Sequence, residues 1–344
     1  MSTPTAGNFD CARLQEIKVP LSAMITPNEV KDAEYIPDVA PVNLIKSIQT
    51  FNDQGLSNPM KDTVIKGVWM DDCDDTDPEE EDSEACEISG TEIGTTCKDY
   101  ELTTKFHKSF SVSDHKFRLL GNSVSQNEEV ALNLAKKLKL MDEMWAKKVV
   151  ATMDSMSGTN MNTSPYTVTA PFTTIPPAAW NPDLFGYLKV TKDRNKMQNM
   201  KLLLGGVMEQ SLWKIGMETS DPTGASAARK VNSLGTVYSD SFITEGVLGY
   251  KAAFLVAPSA MALITKARYI PDGSGREEIS QGNKHIYYTI TSPSTGIVYD
   301  VIYQRACVNG DWINTWDIRT FGDVLTNAVF CNTSRTGVLQ FKCA

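Results

Sequence analysis

Between Ser125 and Met156 the residues Leu134, Leu138, Met141, Trp145, Val149, Met153 and Met156 recur every three or four positions. That is the stripe of an amphipathic helix, with the first six of these as its expected core. Ser125 followed by Glu128 makes a capping-box start, and Gly158 suits the left-handed position past the end. At ~1.5 Å per residue such a helix spans about 48 Å, longer than a compact domain requires. Something long must lie along it.

Other segments follow different periods. Residues 63–69 (TVIKGVW) and 98–110 (KDYELTTKFHKSF) alternate and are β-prone, predicting the two arms of a long hairpin. Residues 1 to about 50 combine five prolines with short apolar clusters such as Leu44, Ile45 and Ile48, and read as an extended arm. Residues 159–179 are polar and proline-studded, an extended connection. A second helix is expected from Asp183, with Pro182 in its first turn. Residues 201–206 (KLLLGG) read as a strand and glycine turn, 207–216 as a helix, 220–237 as a loop, and 250–256 as a buried strand. A helix is expected to start at Pro258 and run through SAMALITKARY. Four late segments, 285–291, 297–306, 311–321 and 336–343, are strand-like, and Asn309-Gly310 is a hairpin signal. The pattern is an α+β chain.

Charge changes this picture at one place. The chain of 344 residues carries -9 overall, yet twelve carboxylates stand between Asp71 and Glu92 without a basic residue. The remainder therefore sums to +3. A carboxylate cluster suits a hard cation, but this one lacks the ligand spacing of a calcium loop and reads as a solvated tip between the two hairpin arms. Alternatively, its charge meets a basic patch on a neighbouring subunit. The acidic balance argues against a sequence-reading DNA binder. A hydrophobic fraction of 41% is ordinary for a globular core. No signal-peptide pattern and no long uncharged apolar window occurs, so a soluble protein is expected. Seven cysteines do not describe a disulfide framework. Cys73, Cys86 and Cys97 lack paired metal spacing, and a disulfide clip among them stays open.

Catalytic patterns are missing. His107, His115 and His285 fall in differently patterned segments, and no nucleophile elbow, phosphate loop or His-Glu-x-x-His is found. No enzymatic activity, cofactor or metal site is assigned, which leaves an enzyme built on residues 180–270 as a minor alternative. Weight shifts to an assembly protein.

The order of arm, long hairpin, long helix, central α/β part and closing strands resembles the major capsid proteins of tailed double-stranded DNA bacteriophages, the Hong Kong 97-type fold. The stretch NPDLFGYLKVTKDRNKMQNMKLLLGG resembles their axial domain, and DWINTWDIRTFGDVLTNAVFCNTSRTGVLQFKC their closing strands, particularly in phages infecting Bacteroidetes. The resemblance implies an N-terminal arm over 1–55, an extended hairpin loop with acidic tip over 56–112, and a peripheral domain over 113–165 holding the spine helix 125–156. It further implies an axial α/β domain over 166–260 and shared closing strands over 261–344. The implied role is an icosahedral shell of pentamers and hexamers around the viral DNA in the virion, assembled in the host cytoplasm. Implied partners are a separate scaffolding protein, a portal and decoration proteins, with no membrane. An encapsulin-like compartment shares the fold and is the nearest alternative. Some family members cross-link a hairpin lysine to a neighbour's asparagine; neither Lys105 nor Lys108 is assigned that role.

Overall fold

The computed structural model describes residues 37–49, 64–70, 95–119, 126–157, 167–169, 172–179, 184–194, 199–206, 237–240, 242–267, 276–280, 283–327 and 336–343. The acidic run 71–94, Ser125, Gly158, Pro182 and the expected helix at 207–216 lie outside them. So do Cys73 and Cys86, and the side chain of Cys97.

Helix α1 (Ala40–Ile48) opens the described chain, with Pro41 in its first turn, where the missing N–H costs nothing. Val42, Leu44, Ile45 and Ile48 are buried against the subunit's own core. The expectation of an extended arm through this region is therefore corrected. The apolar pattern at i, i+2, i+3 and i+6 prevails once proline sits where a helix tolerates it.

Strands β1 (Val64–Met70) and β2 (Thr95–Glu101) pair antiparallel, from Val64 opposite Glu101 to Met70 opposite Thr95. The second hairpin arm is not continuous, as the alternating pattern had predicted. It breaks at Leu102, which is buried, and at Thr103, which donates to Asp323 at 3.0 Å. The chain then enters a different sheet as β3 (Thr104–Ser113), followed by the short α2 (Asp114–Leu119). Helix α3 (Gln126–Met156) is the 31-residue spine.

After β4 (Thr167–Thr169), β5 (Phe172–Ile175), a 3-10 turn at Pro177–Ala179 and α4 (Leu184–Arg194) come β6 (Lys201–Leu204) and β7 (Val237–Ser239). These are followed by α5 (Ile243–Leu248) and β8 (Ala252–Val256). The next element is β9 (Met261–Lys266), a strand where a helix was expected. Its apolar run reflects burial on both faces. Met261 and Leu263 enter the main core, while Ala262 and Ile264 enter a second cluster. A short run buried on both sides carries no period to distinguish strand from helix. Ser259, at φ 59°, turns the chain between β8 and β9.

The last strands are β10 (Arg276–Ser280), β11 (Asn283–Thr291), β12 (Val298–Val308), β13 (Asp311–Thr326) and β14 (Val338–Cys343). Asn309 and Gly310 both have positive φ, 52° and 82°, and join β12 to β13 as a two-residue hairpin loop.

Two six-stranded sheets result. One runs β10-β11-β12-β13-β3, with β9 pairing with β13 beyond the end of β12, on the edge opposite β3; the other runs β4-β5-β14-β8-β6-β7. Within the second, β14–β5 and β6–β7 are parallel pairs. Helix α3 contacts β3 and β13 of the first sheet, β14 of the second, and both α1 and α5. One hydrophobic core thus spans both sheets and the helix between them.

Candidate functional site

Leu134, Leu138, Met141, Trp145, Val149 and Met153, the expected spine core, are each no more than 2% exposed. Phe106 of β3 meets the Trp145 ring edge-on at 4.9 Å. The spine is therefore the inner axis of the subunit.

Polar groups that the periodic pattern did not single out fasten that axis. Asp142, beside Met141 at the margin of the apolar face, accepts from Ser292 Oγ at 2.6 Å, Thr295 Oγ1 at 2.8 Å and Tyr299 Oη at 2.6 Å. Burial raises its carboxyl pKa, against the three hydroxyl bonds and the Lys46 ammonium. Burial likewise lowers the Lys46 pKa, with Asp142 opposing, and Lys46 Nζ donates to the Thr295 carbonyl. One carboxylate thereby ties α3, α1 and the β11–β12 turn together. A carboxylate bordering an apolar helix stripe was the available signal.

Two more carboxylates act similarly. Asp154, near the other end of α3, accepts from Tyr250 Oη at 3.0 Å and Gln340 Nε2 at 2.7 Å, which joins the spine to β14. Burial and then Asp154 push the Tyr250 phenol up to about 12. Lys342 Nζ lies 4.2 Å from the centre of the Tyr250 ring. Asp114 receives Arg305 Nη2 and Asn314 Nδ2, both at 2.6 Å, which ties α2 to β12 and β13. These links make the spine, N-terminal helix and both sheets one mechanical unit.

The base of the hairpin is separately anchored. Ile65 and Leu102 join Ala262, Ile264, Phe321 and Leu325 in a small second core, with Tyr100 alongside. Tyr100 Oη donates to the Thr326 carbonyl at 2.9 Å. The Val64–Glu101 end of the β1–β2 ribbon thus rests on a fixed platform.

The histidines stand on three elements: His107 exposed on β3, His115 exposed on α2, and His285 half-buried on β11. A groove of about 520 Å³ on the β12-β13-β3 face includes Lys105, His107, Asp317 and Arg319. There Arg319 holds Asp317 at 2.6 Å and His107 lies 3.8 Å from it. Lys105 stacks over Phe321. Among the described residues no group of three His, Cys, Asp or Glu is placed to hold a metal ion, and no helix is long and apolar enough to cross a membrane. Cys307 is an exposed thiol and Cys343 is half-buried on β14.

Neither a protein-family model nor a curated protein matches the chain. Solved structures do. The Cyanophage A-1(L) capsid asymmetric unit aligns over 92% of this chain and 98% of its own, at TM-score 0.51 and 9% identity. Structures from Mycobacterium phage Adephagia and Mycobacterium phage Cain align at TM-score 0.46 each, with 9% and 10% identity. The Adephagia match covers 98% of this chain and 99% of that one; the Cain match covers 90% and 92%. The cyanophage similarity carries the fold assignment. The chain has the α+β fold of a phage capsid subunit, the Hong Kong 97-type fold.

Proposed function

We propose that this chain is the major capsid protein of a tailed double-stranded DNA phage, forming pentamers and hexamers of an icosahedral head shell. The observation that carries the reading is the correspondence of 92% of the chain with 98% of a chain of a cyanophage capsid asymmetric unit. Physical chemistry supports it. The hairpin β1–β2 is a two-stranded ribbon projecting from a small second core, and two strands are marginal in water unless another surface covers them. A closed lattice of copies supplies that surface at every hairpin. The subunit's place is then the virion, its partners a scaffolding protein, a portal and packaged DNA held without sequence reading. The polar interior of the spine serves rigidity and not catalysis.

Negative-stain imaging of the expressed full chain, alone and with the phage's scaffolding protein, tests the proposal. Closed shells or capsomer rings are expected. A uniform field of monomers or small oligomers with scaffold present would overturn it. Double-stranded DNA inside particles recovered from infected cells separates a phage head from a cargo-holding compartment.

A further inference from the structure

The two large sheets finish their edges differently. The second ends at β4 and β7, three residues each, and strands that short offer little for another chain to pair with. The first ends at β3, of ten residues, and β10, of five. Among the described residues each of these pairs with a strand on one side only, β3 with β13 and β10 with β11. On β3, Lys105, His107, Lys108, Ser109 and Ser111 are exposed. Consecutive residues of a strand point to opposite faces, so exposure at 107, 108 and 109 in a row leaves that rim of the sheet open on both sides.

The two edges carry opposite charge. Strand β3 has Lys105 and Lys108 with His107 between them and no carboxylate; β10 reads Arg276-Glu277-Glu278-Ile279-Ser280, two carboxylates to one guanidinium. Lysines on a sheet edge deter indiscriminate pairing, but they do not deter an acidic strand. Two β3 edges brought together repel, as do two β10 edges, whereas β3 against β10 sets unlike charges across a new ladder. We propose that the β3 edge of one subunit pairs with the β10 edge of a second copy, so that the first sheet continues from subunit to subunit. This rests on the shell reading and names a contact that builds its rings. Two different edges meet, so the contact is head-to-tail, and repetition closes a ring where the rotation allows. Within one subunit β11, β12 and β13 stand between β10 and β3, so the two edges meet only across copies.

Charge exchange in the full chain tests the pairing. One variant carries Lys105→Glu and Lys108→Glu; another carries Glu277→Lys and Glu278→Lys. Each alone should lower the yield of rings and shells by about tenfold or more, measured by light scattering and imaging with scaffold supplied. Co-expressed, the two should recover rings of six, in which they alternate and every β3 again faces a β10 of opposite charge. A single chain with all four changes should recover them as well. In hydrogen exchange, the backbone amides of 104–113 and 276–280 should exchange about tenfold more slowly in wild-type particles than in the unassembled subunit. Loss of assembly that neither combination restores, or exchange unchanged in both strands, would overturn the proposal. Thermal melts separate a lost contact from a lost fold, and glutamine at the same four positions gives milder variants where a reversal does not fold. Wild-type particles with unaffected variants sink this contact alone, whereas no wild-type particles, with scaffold supplied, sink the shell reading and the contact with it.

Discussion

Asp142 stands in the interior of the subunit with three hydroxyls pointed at it, so its removal strands several polar groups at once. Asp142→Ala should cost about 3 to 5 kcal/mol, read in a denaturant titration, because three buried hydroxyls lose their acceptor and the Lys46 ammonium loses its opposing charge. A loss under about 1 kcal/mol would mean that the cluster rearranges around water. Asp240 behaves in the opposite sense. It accepts from the amide of Thr244 at 3.0 Å and from its hydroxyl, capping the turn that enters α5. Burial still raises its pKa from 3.8 to about 6, with Asp38 and Glu245 adding to the rise. A raised carboxyl means the folded state holds its proton more tightly than the unfolded chain. The stability from this site is therefore present below pH ~4 and lost as pH climbs through about 6, by up to about 3 kcal/mol. Asp240→Asn should flatten that part of the stability profile between pH 4 and 6 and leave the variant the more stable at pH 7. An unchanged profile in melts across that range would show that Asp240 does not titrate there.

At the scale of elements, the turning point is Gly322. It is paired on both edges at once, with Thr104 of β3 and Thr265 of β9, just past the last β12 pair at Arg319. A Cβ there would stand 2.2 Å from the Ile264 carbonyl oxygen and 3.0 Å from the Thr265 Cα. Both obstacles are backbone, so they cannot swing aside. Gly322→Ala should cost about 3 kcal/mol, the upper end for overpacking. It should also raise amide exchange in β9 and the hairpin base together, since Ile264 and Phe321 share a core with Ile65; exchange confined to residue 322 would refute the junction role. Elements were legible where one face is buried and the other wet. The spine's Leu134 to Met153 stripe, β11 to β14 and the Asn309-Gly310 loop follow from period and turn chemistry alone. Where both faces are buried, as at Met261 to Ile264, the period vanishes and the expected helix is a strand. Prolines conceal α1 in the sequence: their density signals an extended chain, yet Pro41 stands in the first turn, where a helix tolerates it. The Asp142 and Asp154 anchors were invisible for another reason: their partners lie about 90 to 190 residues away in sequence, and only the tertiary fold brings them together.

Considered as a whole molecule, the chain separates a nearly neutral body from a strongly acidic insertion, and the hairpin register allows that insertion to be removed cleanly. Met70 stands directly opposite Thr95 in the β1–β2 ladder, so an Asn-Gly pair in place of residues 71–94 closes the ribbon with a two-residue turn and leaves every ladder pair intact. The described members of both cores, one spanning both sheets and the spine and one at the hairpin base, all stay in the shortened chain. The shortened chain should therefore melt within about 3 °C of the full one, the shift expected for a change well under 1 kcal/mol in a protein of this size. Its net charge changes sign, from -9 to +3. If the insertion is an element of contact between subunits, this folded chain should remain a monomer or small oligomer in analytical ultracentrifugation under conditions where the full chain builds shells. Shells of normal size from the shortened chain would show that the lattice is held by the body alone. A lowered melting temperature would instead place the acidic segment among the supports of its own subunit.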